Sequence, residues 1–324
     1  VKVVYSFLNV NHPEYVHPEE FKIAIVSAMY ANKFYGNSTF ASSRAVIDKI
    51  KGLKLPFTHY EIIDLDLEKN SLPYIYKMYV YTKQTTPFIN LDLDLVLNNP
   101  LPEQNTGTVK FAHRDHKIKW EMTQIDGLRR SYFDPASYIY KTHGLDILKN
   151  LRLFSIPNMG IVSCEDPDLY RRATNKALQV YYDNKSFFDS ELLHGCFIEQ
   201  GLTHKYLYEL SDEYRKQVED DSTFIFDKSI SIVIDESMTK YTINDLYREH
   251  AYPFTNVHEA LEQYSYKELP AVHFLGSTKY SEVTQFFIIK EIIQNLGVEV
   301  LEKIEQYFGP GMNHCFTKYK RLFL

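Results

Sequence analysis

The chain has 324 residues, 44% of them hydrophobic and 24% charged, which is enough apolar material for a large buried core. Its net charge of −6 supplies no electrostatic footprint for general nucleic-acid binding. Three cysteines, Cys164, Cys196 and Cys315, lack metal-ligand spacing and argue against a disulfide framework; they fit free thiols in a reducing compartment.

From the N-terminus, "VKVVYSFLNV" is predicted as a first strand and "HPEYVHPEE" as an ordered loop. "FKIAIVSAMYANKFYG" is predicted as an amphipathic helix stopped at Gly36. A short strand at "STFASS", a helix at "SRAVIDKIKGL", a strand at "HYEIID" and a helix at "SLPYIYKMYVYTKQ" follow. Strands alternating with helices imply an α/β fold with a mostly parallel sheet covered on both faces. "PFINLDLDLVLNNPLP" then reads as the fourth strand of the series, ended by "NNPLP". Further on, "TVKFAHRD" is a predicted strand, and its polar continuation (His113, Arg114, Asp115, His116, Lys117, Lys119) is a predicted loop suited to the acceptor side. "SIPNMGIVSC" is a predicted strand leading into a helix capped by Asp166 or Asp168. "ELLHGCFIEQGLTHKYLYEL" is predicted to be helical with a break near Gly195. The tail gives two helices divided at Gly297, the second with Val300, Leu301, Ile304, Tyr307 and Phe308 on one face. The N-terminal apolar run is too short for a signal peptide, and no stretch approaches the roughly 20 apolar residues of a membrane span. The expectation is a cytoplasmic, soluble chain.

The two aspartates of the fourth strand carry the chemistry. Successive side chains of a strand point to opposite faces, so Asn90, Asp92 and Asp94 are expected on one face and Ile89, Leu91, Leu93 and Leu95 on the other. An amphipathic strand with a wet face explains an isolated Asp-x-Asp. In an α/β series, however, strands are usually covered on both sides, and ligands bind beyond their carboxyl ends. Two carboxylates placed there repel one another and lose solvation, and a divalent cation removes both penalties. Paired aspartate oxygens suit Mg²⁺ or Mn²⁺, and such a metal can hold a nucleotide's diphosphate as a leaving group.

At this point the motifs resemble a known family. "PFINLDLDLVLNNPLP" is similar to the D-x-D strand of GT-A fold glycosyltransferases. "YKMYVYTKQTTPF" resembles the lead-in of bacterial and phage proteins related to the retaining, glycogenin-like and capsular-type sugar transferases. "PNMGIVSC" looks like their Asn-x-Gly-Ile strand, "FIEQGLTHKY" their Glu-Gln helix, and "VHFLGSTKY" their C-terminal His-x-x-Gly-x-x-Lys element. Where those families end the second strand in Thr-Asp, this chain reads "TFASSR".

The resemblance implies a GT-A, Rossmann-like, mixed and mostly parallel sheet flanked by helices, with a helical C-terminal extension. Residues 1–210 would form the nucleotide-sugar-binding core, and 211–324 would complete the donor site without being an independent domain. It implies Asp92, Asp94 and His273 as ligands of Mn²⁺ or Mg²⁺, the nitrogen ligand favouring Mn²⁺. Tyr5, Ser6, Phe7, Lys77, Asp92, Asn158, Gly276 and Lys279 would bind the donor, with Asp94, Glu199 and Gln200 at the catalytic centre. The partners would be a nucleotide diphosphate sugar and an acceptor hydroxyl, on a glycan or, in a phage setting, a modified DNA base. Two other readings stay open. One is a haloacid-dehalogenase-type phosphatase with Asp92 as nucleophile, Asp94 as acid/base and Asp220 and Asp221 as its acidic pair. The other is a non-catalytic nucleotide- or glycan-binding module.

Overall fold

The computed structural model describes residues 1–8, 12, 14–63, 73–102, 108–117, 129–145, 155–226, 231–235, 240–243, 250–253, 270–274, 279–311 and 316. In chain order the described strands are β1 (Lys2–Ser6), β2 (Ser38–Ser42), β3 (His59–Ile62), β4 (Phe88–Leu91), β5 (Leu95–Leu97), β6 (Val109–Phe111), β7 (Arg114–Lys117), β8 (Ser155–Pro157), β9 (Ile161–Cys164), β10 (Ser231–Asp235), β11 (Lys240–Ile243), β12 (His250–Pro253) and β13 (Ala271–Phe274). The fold class is the expected one, a mixed, mostly parallel six-stranded sheet flanked by helices. The chain divides into two compact units.

The first unit comprises Val1–Asp64, Leu91–Pro102 and Lys228–Leu324. Here β1, β2 and β3 lie side by side in parallel. The helix Pro18–Tyr35 packs on β1 and β2 and ends where Gly36 turns left-handed at φ 67°. Its start lies inside "HPEYVHPEE", so the second His-Pro pair opens a helix and is not loop. Pro18 sits at the first helical position, where its missing N–H costs nothing, and Glu19 and Glu20 place negative charge against the positive helix end. Ser43 caps the helix Arg44–Ile50 by accepting from Val46 N. Phe21, Phe40 and Phe57 form an aromatic core, with Tyr5 edge-on to Phe57. The tail helices Glu282–Leu296 and Val298–Phe308 meet at Gly297 as expected. The second buries Val300, Leu301, Ile304 and Phe308, and Phe308 lies against Phe21.

The same unit carries a second sheet in the order β12-β11-β10-β13-β5. Strands β10 to β12 form an antiparallel meander over residues the sequence reading left unassigned. β13 runs antiparallel to β5, with His273 opposite Leu95.

The second unit comprises Leu65–Asn90 and Glu103–Asp227. "TVKFAHRD" forms two strands, β6 and β7, and "SIPNMGIVSC" forms β8 and β9, each pair of segments serving two sheets. Asp166 caps the helix Pro167–Asp183 through Leu169 N, while Asp168 pairs with Arg171. The helices Pro73–Lys83 and Thr203–Leu210 both pack on it.

The break expected near Gly195 falls just before it, with Glu191–Leu193 non-helical and the helix beginning at His194. Helical structure runs from His194 to Leu210, with a π-helical stretch at Phe197–Leu202. Gly195 serves close packing instead: a Cβ there would lie 2.1 Å from Tyr74 Cδ2. Gly195→Ala is therefore expected to destabilise the chain by about 1–3 kcal/mol through displacement of the Tyr74 ring. Urea unfolding checks this, and a neutral or stabilising result, as helix propensity alone favours, would contradict it.

A second stability effect arises at His204, which is buried with Nδ1 2.7 Å from the Tyr214 hydroxyl. Burial pushes the Tyr214 phenol well up, so the hydroxyl keeps its proton and donates. Burial pushes the imidazole down to about 4, below its unfolded value near 6.5. As pH falls through that window the unfolded chain takes up the proton first. The contribution is thus complete above about 6.5 and lost by about 4, a change on the order of 3 kcal/mol. Unfolding free energies of the wild type and His204→Gln between pH 7 and 5 are expected to show a shallower decline in the variant.

Candidate metal centre

The local path of the chain corrects the expected single strand. β4 ends at Leu91, the chain turns through Leu93 and Asp94, and β5 resumes at Leu95 in the other sheet. Leu95 N donates to Asp92 O at 3.2 Å, closing the turn. The alternation of apolar and acidic residues continues across this bend, which hides it from the sequence. Asp92 and Asp94 are therefore turn residues, not members of a shared strand face with Asn90.

The turn is fixed from outside by β13. Phe274 N donates to Asp94 O at 2.9 Å, extending the β5–β13 ladder by one bond. That register brings His273 next to the carboxylates. Its Nε2 lies 3.2 Å from Asp94 Oδ1 and 3.9 Å from Asp92 Oδ2. One ligand atom from each of Asp92, Asp94 and His273 falls within 4.8 Å of the others. His273 is buried and the two aspartates are partly exposed, so the group is reachable from solvent on its acidic side. Two hard carboxylate oxygens and one imidazole nitrogen suit Mn²⁺ or Mg²⁺, with open positions left for a ligand.

Charge around Asp94 is closely managed. Lys279 Nζ lies 2.9 Å from Asp94 Oδ2 and 2.8 Å from Glu20 Oε1. Burial raises the Asp94 carboxyl, but His273 and Lys279 together outweigh it and hold the group well below the usual carboxylate range. Burial lowers the Lys279 ammonium, while Asp94 and Glu20 more than reverse this, so its charge is secure. Tyr280 donates its hydroxyl to Glu20 Oε1 at 2.8 Å, and Gln285 Nε2 donates to Lys279 O at 2.6 Å. Glu20 is not among the residues the motifs single out: the Pro-Glu-Glu helix start places it in a first helical turn, and only its distance to Lys279 places it at the site.

Of the other expected residues, Tyr5 is wholly buried with its hydroxyl 3.0 Å from Ser27 Oγ, a core role, whereas Ser6 and Phe7 are half-buried at the strand end. Gly276 lies outside the described residues. The second unit holds a separate group. Lys77 Nζ lies 2.8 Å from Glu199 Oε1 and donates to Met159 O at 3.0 Å. Tyr81 donates its hydroxyl to Glu199 Oε1 at 3.4 Å. Asn158 is buried, and its Oδ1 accepts from Gly160 N at 3.0 Å, the geometry of a turn residue. Gln200 Oε1 accepts from the Tyr132 hydroxyl. Glu199 and Gln200 both sit on the π-helical stretch, a local irregularity often found at functional sites.

The model of one protein family matches residues 16–305, nearly the whole chain. The chain belongs to DUF6734. That family is described as one of unknown function. No curated protein matches this DUF6734 chain in sequence. Among solved structures it is similar to the galactosyltransferase LgtC in complex with donor and acceptor sugar analogs, at 14% identity over 61% of this chain and 70% of that one, TM-score 0.34. An active-site mutant of LgtC gives 10% identity over 85% and 88%, TM-score 0.35. Mouse xyloside xylosyltransferase 1 in its apo form gives 13% identity over 72% and 88%, TM-score 0.33. At these scores the overlap is loose, and the chemistry of the DUF6734 chain has to come from its own residues. No described helix is long and apolar enough to cross a membrane.

Proposed function

We propose that this DUF6734 chain is a metal-dependent glycosyltransferase of the GT-A kind, moving a sugar from a nucleotide diphosphate sugar to a glycan hydroxyl. The observation that carries the reading is the convergence of Asp92, Asp94 and His273, from distant parts of the chain, on one potential cation position. Asp92 and Asp94 supply the carboxylate oxygens and His273 the nitrogen, which favours Mn²⁺ over Mg²⁺. Asp92, Asp94 and His273 would hold a cation that would supply positive charge to a departing diphosphate.

The chain's own groups do the rest. Asp94, ionised throughout the neutral range, offers a ready ligand without first losing a proton. Lys279 adds a second fixed positive charge for a phosphate oxygen. Ser6 and Phe7, half-buried at the end of β1, are the proposed nucleoside contacts. Asn158 and Gln200 belong to the second unit, where their side-chain oxygens accept from Gly160 N and the Tyr132 hydroxyl and leave their amide N–H groups as donors. Glu199 is proposed as the counter-ion that holds Lys77, with no proton-transfer role of its own. Retention of anomeric configuration is carried by the resemblance of the motif set to retaining transferases.

The test is release of nucleotide diphosphate from a panel of nucleotide sugars, with Mn²⁺, Mg²⁺ or EDTA, with and without simple saccharide acceptors. Metal-dependent release from one donor is the expected outcome. Absence of both turnover and metal-dependent donor binding across the panel would leave the reading without support.

A further inference from the structure

Lys279 stands between two carboxylates that have different uses. Asp94 belongs to the candidate metal centre, whereas Glu20 comes from the first turn of the helix Pro18–Tyr35 and takes no part in the three-residue ligand group. The ammonium contacts both, at 2.9 Å and 2.8 Å. Glu20 is itself tethered by the Tyr280 hydroxyl, and the Lys279 backbone is tethered by Gln285. Neither carboxylate is wide open to water, with side-chain exposures of 13% for Asp94 and 16% for Glu20, so bulk solvent screens these contacts only in part.

An ammonium on Asp94 Oδ2 and a divalent cation on the same carboxylate repel each other, so they cannot both use Asp94 at full strength. A lysine held by Asp94 alone would act as a competitor of the metal. With Glu20 alongside, the ammonium keeps a carboxylate partner that it already contacts. We propose that Glu20 is a positioning residue that receives the Lys279 ammonium when a divalent cation occupies Asp94, keeping the lysine beside the site as a second positive charge without blocking the metal. This role rests on the metal-ligand reading of Asp92, Asp94 and His273 given above. The bland alternative is that Glu20 merely adds negative charge near the site and complements its helix end.

A double-mutant cycle separates the two. Mn²⁺ alone is titrated calorimetrically into the full chain and into Glu20→Gln, Lys279→Met and the double variant. Glu20→Gln is expected to weaken Mn²⁺ binding about tenfold, because Lys279 is left with Asp94 alone. Lys279→Met is expected to tighten it several-fold, roughly the converse effect. In the Lys279→Met background, Glu20→Gln is expected to change the affinity by less than about twofold. Equal weakening in both backgrounds, or no weakening in either, overturns the role. Should Glu20→Gln not fold, Glu20→Asp keeps the charge but withdraws it from Lys279 and is expected to weaken Mn²⁺ binding likewise; wild-type affinity there contradicts the proposal. Failure of the wild type to bind Mn²⁺ at all removes the metal reading and this role together, whereas Mn²⁺ binding without the coupling removes this role alone.

Discussion

Asp94→Asn is expected to lower both Mn²⁺ affinity and donor turnover by at least about 100-fold, more than the loss typical for an outer partner of a metal ligand. Asp94 is the carboxylate on which the site's charges converge: His273 on one oxygen, Lys279 on the other, and Phe274 N on the backbone carbonyl. The amide keeps the shape and the backbone bond to Phe274 but removes the charge that the Lys279 ammonium answers. Asn is neutral and a poor ligand for a hard cation, so His273 and Asp92 would be left to hold the metal alone. Folding is expected to survive, because Asp94 is partly exposed and water can reach what the substitution leaves behind. The decisive comparison is calorimetric Mn²⁺ binding beside nucleotide diphosphate release, with circular dichroism confirming the fold. Unchanged metal affinity in Asp94→Asn would remove this residue from the centre.

Lys77→Met is expected to cost about 3–5 kcal/mol of stability, the loss typical when one partner of a buried ion pair is removed. The reason is asymmetry. Glu199 has a side-chain exposure of only 3% and faces Lys77 at 2.8 Å, while the Tyr81 hydroxyl at 3.4 Å is neutral and supplies no compensating charge. Deleting the ammonium removes the positive charge that compensates a carboxylate held largely out of water. Deleting both charges is different: Lys77→Met with Glu199→Gln is expected to recover most of the loss, since a neutral pair carries no such desolvation penalty. The same double variant decides what Glu199 does. If it is a counter-ion, turnover persists once stability returns; if its carboxylate takes part in the chemistry, turnover stays lost while the fold is restored. Urea unfolding and donor turnover on the wild type, Lys77→Met and the double variant read both outcomes.

The elements that were legible in the sequence are those whose ends are written in local chemistry. Gly36, Ser43, Asp166 and Gly297 each mark a helix boundary that the structure keeps, because caps and left-handed turns depend on one or two residues. The Asp92–Asp94 turn was not legible. It carries no glycine or proline, and the period-two pattern of strand β4 continues through it into β5, which pairs in another sheet. The long-range partner holds that bend: β13 pairs with β5, and Phe274 N bonds the Asp94 carbonyl at the turn. The π-helical stretch around Glu199 and Gln200 escaped for a related reason, since an inserted residue leaves no mark on an apolar face until its neighbours are known.

The site divides the same way. Asp92, Asp94, His273 and Lys279 were legible as residue types in an ordered set of motifs, and the structure gathers all four in one unit. Glu20 was not, because its importance lies in its distance to Lys279 and in no motif. Tyr5 shows the converse: a strand-end tyrosine looks available to a nucleobase, but only packing reveals that its hydroxyl already faces Ser27 in the core.

The claim that Asp92, Asp94 and His273 form a metal centre is tested most directly by anomalous diffraction from crystals of the full chain grown with Mn²⁺ and a nucleoside diphosphate. The account predicts a manganese peak among the carboxylate oxygens of Asp92 and Asp94 and a ring nitrogen of His273, beside the diphosphate. A manganese peak elsewhere, or an ordered diphosphate with no metal between these three side chains, would contradict it.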